Sequence, residues 1–214
     1  MDDVYDSISR LKQTGVDVKY ADVVLKACAV ALREVPGVSV YFDGEKLRPS
    51  ISSDIAIYFE NYAEKMLTPL IKNIDRLRVT QISDQFRTIQ SYVDSGDFRK
   101  LSFGPATFGF CDASADGLVE FASILKSPQS ALLCLGQVTD QIGLDLKTTK
   151  RAVATLVYDN SAISDDIAAK FLNRLNDNIS NCSRMLLGLS RQDYDNIESI
   201  KNKDNSSDLF ALRI

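Results

Sequence analysis

The stretch Thr155–Leu175, TLVYDNSAISDDIAAKFLNRL, decides how this chain folds. Thr155 to Tyr158 is β-branched and aromatic, which predicts a strand; Asp159, Asn160 and Ser161 are turn residues that bond their own backbone. Beyond them Ile167, Phe171 and Leu175 recur at i, i+4 and i+8, the spacing of one helical face. Ser164 stands before Asp165 and Asp166, so it is read as the helix N-cap, with both carboxylates at the positive end of the helix dipole. A strand-to-helix turn of this kind is a common seat for a catalytic group. Its polar residues are oddly chosen for that work, because a carboxylate is already ionised at neutral pH and an amide is no base.

Working outward, RAVATLVY and ALLCLGQV are near-continuous apolar runs, as expected for strands buried on both faces. ATFGFC is a further strand, DIAIYF and MLTPLI are two more, and Pro69 predicts an edge or a bulge in the last. VSVYFDGEKL places Asp43-Gly44 at the turn of a hairpin. Helices are predicted in DDVYDSISRLK, in ADVVLKACAVALREV up to Pro36, and in SDQFRTIQSYV, with Ser83 as N-cap and Phe86, Ile89 and Val93 on one face. GLVEFASIL is read as a short helix. The elements alternate irregularly, so the expected fold is α/β, a mixed β-sheet with helices packed mainly on one face.

The 214 residues, 45% hydrophobic and 25% charged, suffice for one domain with a sizeable core. A net charge of −4 with both signs interspersed argues against nucleic-acid binding. No apolar run approaches the roughly 18 residues of a membrane span. The first residues, MDDVYDSISR, have neither a signal-peptide core nor the Arg-rich, acid-poor character of a transit peptide, so the expectation is a soluble chain that is complete or a mature fragment. Cys28, Cys111, Cys134 and Cys182 lie far apart and mostly in apolar runs, which fits buried thiols of a reducing compartment and no metal site. There is no histidine. Histidine triads, histidine metal ligands and imidazole acid–base pairs are therefore excluded together.

Several segments, taken in order, resemble the catalytic core of the dihydrolipoamide acyltransferases of 2-oxoacid dehydrogenase complexes. DVVLKACAVALREVPGVSVYFDGEKLR resembles the family's helix, hairpin and W-x-D-G-E region; LTPLIKN resembles ITPVIRN; ATFGFCDAS resembles GTFTISNLG; SPQSALLCLGQV resembles PPQAAILGVG. The resemblance runs from about Asp3 to Leu187 and implies the chloramphenicol-acetyltransferase-like fold. It also implies a core domain at residues 1–187, with residues 188–214 as a polar C-terminal extension ending in an apolar hook.

The family signature D-H-R-V-V-D-G falls on Asp159 to Asp165. Asn160 stands where the family has its histidine, Ser161 where it has arginine and Ser164 where it has the second aspartate; Asp159 keeps the first. Cys111 stands where the family has the serine of T-I-S-N, an oxyanion donor. In the family the histidine deprotonates the thiol of coenzyme A or dihydrolipoamide. An amide has no basic lone pair for this, and losing a positioned base costs about 10² to 10⁴ in rate. The resemblance therefore implies a catalytically inactive branch, with Asn160, Ser164, Cys111 and Asp159 as degenerate site positions and no cofactor.

That branch implies a homotrimer in the mitochondrial matrix, associated with the active acyltransferase core and helping to recruit dihydrolipoyl dehydrogenase through N-terminal lipoyl and subunit-binding modules not present in these residues. Little of the family's N-terminal arm can precede Asp3. Family cores finish near an M-L-L, found here at Met185 to Leu187, and their termini pack against neighbouring trimers; the extension is expected to alter such contacts. Two other readings stay open: an active acyltransferase using Cys111 or Asp159 in place of histidine, and a coenzyme A-binding sensor. Against Cys111 as the nucleophile of a rewired transferase, its neighbours supply no cation to activate a thiolate.

Overall fold

The computed structural model describes residues 2–13, 15, 17–50, 52–60, 66–142, 146 and 148–187. The expected extension at 188–214 lies outside the described residues.

The chain opens with helices α1, Asp2–Gln13, and α2, Tyr20–Glu34, joined through the left-handed Gly15 at φ +81°. Pro36 ends α2 in a single turn of 3₁₀ helix. The hairpin of β1, Val40–Phe42, and β2, Leu47–Pro49, follows, with Gly44 at φ +100° supplying the turn. Asp43 Oδ1 accepts from the Glu45 and Lys46 N–H groups, an Asx-type closure of that turn.

Among the described residues the main sheet has six strands in the order β10-β7-β6-β3-β4, with β5 also on β3. These are β3, Ile55–Glu60; β4, Met66–Leu67; β5, Leu70–Ile71; β6, Phe108–Asp112; β7, Ala131–Leu135; and β10, Ala154–Tyr158. β3, β6 and β7 run parallel, and β10 closes the side of β7 antiparallel. Pro69 lies between β4 and β5 at the edge of the sheet, one of the two placements expected for it, and its carbonyl accepts from the Ile57 N–H at 2.8 Å.

Alternation along the central strands divides two environments. Ile55, Ile57 and Phe59, with Phe108, Phe110, Ala131, Leu133 and Leu135, join the large core formed with α2, α3 (Val79–Asp94) and α4 (Asp165–Ser180). Tyr58, Cys111, Leu132 and Cys134 point the other way and pack against Phe121, Leu125 and Val157. The helices thus cover one face of a mixed sheet, as expected, and a non-helical segment covers part of the other. Phe171 of α4, fully buried, tilts against Phe108 with ring centroids 5.4 Å apart.

Three local expectations need correction. GLVEFASIL is not a helix: residues 117–125 are irregular, because their backbone is bonded outward, Gln137 N–H to the Leu118 carbonyl at 2.7 Å and Ser123 N–H to Cys134 Sγ at 3.3 Å. Helix α3 begins before Ser83, at Val79, where the Gln81 side chain accepts the Arg78 N–H at 2.9 Å. Ser83 is buried inside the helix and donates to the Asp17 carbonyl. The run RAVATLVY is split, since Arg151 ends a separate antiparallel hairpin of β8, Thr139–Ile142, and β9, Thr148–Arg151. A short helix, α5, Cys182–Leu187, ends the described chain. No helix among the described residues is long and apolar enough to cross a membrane.

Candidate functional site

The turn at Asp159 forms where β10 leaves the sheet. Its N–H is still bonded to the Ser130 carbonyl at 2.9 Å, while its own carbonyl already accepts from Ala162 and Ile163. Asp159 Oδ1 takes two hydrogen bonds from Ser161, from the N–H at 2.9 Å and the hydroxyl at 2.7 Å. These bonds hold its carboxyl below the usual carboxylate range, the hydroxyl contributing most. A depressed carboxylate is a weak proton acceptor. Asn160 follows, exposed.

Ser164 occupies the N-cap position of α4 with extended backbone, and its carbonyl accepts from Ile167 and Ala168 at 3.0 and 3.1 Å. Its hydroxyl makes no capping bond; Asp165 and Asp166 supply the negative charge in the first turn. Asp165 Oδ1 accepts from the Tyr158 phenol at 2.7 Å, which ties the end of β10 to the start of the helix.

Asp159 and Asn160 share a cleft of about 640 Å³ with the β1–β2 hairpin, through Tyr41 and Phe42, and with the loop Ser127–Ser130. Phe42 is 65% exposed at its mouth. The hairpin aromatics carried no functional signal in the sequence beyond turn chemistry. Ser130 fixes the floor: its hydroxyl donates toward the carbonyls of Val38 and Thr107 and accepts the Val40 N–H at 3.0 Å.

Cys111 lies elsewhere. Register aligns it with Cys134 on β7, and Cys134 with Thr155 on β10. Asp159 is therefore four residues, about 13 Å, further along the strand direction and two strands, about 10 Å, across. The structure brings Asp159, Asn160 and Ser164 to one turn and leaves Cys111 remote from it within a single chain. Among the described residues no group of three or more His, Cys, Asp and Glu side chains could hold a metal.

A mixed sheet with helices on one face, and a strand-to-helix turn opening onto a cleft, define an α/β domain. The family of 2-oxoacid dehydrogenases acyltransferase (catalytic domain) matches residues 1–187, and the chain belongs to it. The pyruvate dehydrogenase protein X component, mitochondrial, of Mus musculus is 24% identical over 185 residues, which are 82% of this chain and 36% of that protein. The chain thus spans about a third of the length of that curated relative. The cubic core of the pyruvate dehydrogenase multienzyme complex superposes with a TM-score of 0.73 at 24% identity, covering 86% of this chain and 77% of that one. A chloramphenicol acetyltransferase superposes with a TM-score of 0.51 at 14% identity, covering 79% and 80% of the two chains. The fold is therefore the chloramphenicol-acetyltransferase-like one.

Proposed function

We propose that this chain is a non-catalytic structural subunit of a 2-oxoacid dehydrogenase complex, of the pyruvate type, that forms trimers and associates with the active acyltransferase core. The observation that carries this reading is Asn160, which stands in the turn where the resemblance puts the family's general base, in a sequence with no histidine to replace it. Two further features support it. Asp159, the retained acid of the turn, is bonded to Ser161 and depressed in pKa, the wrong direction for a base working at neutral pH. Cys111, at the position matched to the oxyanion serine, is a weak hydrogen-bond donor.

The name of the murine relative supports placement in the pyruvate complex and in mitochondria; the matrix is the compartment we propose. Recruitment of dihydrolipoyl dehydrogenase then belongs to lipoyl and subunit-binding modules of a longer polypeptide, for which residues 1–187 are the core-docking domain and residues 188–214 an extension that alters contacts between trimers. The test is assembly: the purified chain is sedimented and imaged with and without an active acyltransferase core. Incorporation into the core with no gain in acyl transfer is expected, and failure to enter the core contradicts the reading.

A further inference from the structure

Cys111 and Cys134 face each other across neighbouring parallel strands. They are direct register partners of β6 and β7, and both side chains project from the sheet face opposite the helices. Adjacent strands lie about 4.8 Å apart, inside the Cα separation of about 4.4–6.8 Å that a disulfide spans. All four cysteines carry thiols in this structure. Both of these lie close enough to the Tyr58 phenol to help raise its pKa, after the larger effect of burial. Cys28 and Cys182, by contrast, are fully buried in the helical core.

The two thiols differ in access. Cys111 is half-buried and Cys134 is 1% exposed. Burial pushes the Cys134 thiol up, and the Ser123 N–H aimed at its Sγ from 3.3 Å offsets part of that by favouring the thiolate. A reagent from solvent therefore meets Cys111 first, and Cys134 stands behind it as a second sulfur already in register.

We infer that Cys111 and Cys134 form a dithiol that reduces low-molecular-weight disulfides and closes to an intrachain disulfide. The Cys111 thiolate attacks one sulfur of the small disulfide, forming a mixed disulfide and releasing one thiolate of the reagent, which takes up the proton Cys111 lost. The Cys134 thiolate then attacks Cys111 Sγ, the new S–S bond forms, and the second reagent thiolate leaves and is protonated. Two protein thiols are oxidised, one small disulfide is reduced to two thiols, and no other oxidant is needed. The inference rests on the pairing of β6 with β7 and is independent of the proposed scaffold role.

The experiment uses the full chain, reduced and then incubated under nitrogen with oxidised glutathione. Thiols are counted after quenching in acid and unfolding, and the linkage is mapped by peptide mass spectrometry. The expected result is a fall from four thiols to two, with a Cys111–Cys134 linked peptide and no retained glutathione. In Cys134→Ser, glutathione stays on Cys111; in Cys111→Ser, Cys134 remains reduced over the same period. A wild-type chain that stops at the mixed disulfide on Cys111, or one in which neither thiol reacts while the urea-unfolded chain does, overturns the inference. So does a Cys134 that is modified in Cys111→Ser as fast as Cys111 is in the wild type.

Discussion

Asp159 and Ser161 form a closed unit, in which one carboxylate oxygen takes both the N–H and the hydroxyl of the residue two positions on, at 2.9 and 2.7 Å. The carboxylate is engaged in holding the turn, which leaves Asn160 between them as an exposed amide. The Ser161→Ala chain is predicted to return the Asp159 pKa upward toward its ordinary 3.8, read by carboxyl NMR titration. A folded pKa below the unfolded one contributes stability above pH 3.8 that is lost as pH falls through the depressed value. Ser161→Ala should flatten that acid limb slightly, because the group is solvent-exposed and screened.

Phe171 is the anchor of α4 on the sheet, fully buried against Phe108. Phe171→Ala should destabilise the domain by about 3–5 kcal/mol through lost transfer energy and the cavity left behind. Phe171→Leu should cost less. Urea unfolding followed by circular dichroism checks both, and equal losses would contradict the packing described.

Gly136 lets the irregular segment cross the end of β7. A Cβ built there would lie 2.0 Å from the Val119 carbonyl oxygen and 2.7 Å from its carbon, both backbone atoms. Gly136→Ala should therefore force residues 118–120 outward, at a cost of about 1–3 kcal/mol, typical of overpacking. Faster proteolysis within residues 113–129 and a lower unfolding midpoint would be seen together.

Removing residues 190–214 should change the size of the assembly measured by light scattering, since the extension is proposed to modify contacts between trimers. An unchanged size would remove the extension from that role.

Much of the fold was legible because it follows from local chemistry. The apolar runs at Ala131–Leu135 and Ala154–Tyr158, the Asp43-Gly44 turn and the helical spacing of Ile167, Phe171 and Leu175 each state their element directly. What was missed depends on partners distant in sequence. Leu118, Phe121 and Leu125 have the spacing of a helix face, yet the segment is held by β7 and its neighbours through Leu118 and Ser123. The β8–β9 hairpin is polar and lacks alternation; pairing across it, including the ion pair of Lys150 with Asp140 at 2.8 Å, supplies what periodicity does not. At the site, the turn was readable from Asp159 to Ser164, whereas the cleft wall of Tyr41 and Phe42 arises only when the hairpin folds against it. The separation of Cys111 from the turn likewise needed the strand order.

We propose that the turn holding Asn160 does not perform acyl transfer. The most direct measurement is the transfer of an acetyl group between coenzyme A and dihydrolipoamide by the purified chain, against buffer alone and against an active acyltransferase core. The expected rate is indistinguishable from buffer and unchanged by Asn160→Ala or Cys111→Ala. Turnover well above buffer that is abolished by Cys111→Ala, or by Asp159→Asn, would contradict it.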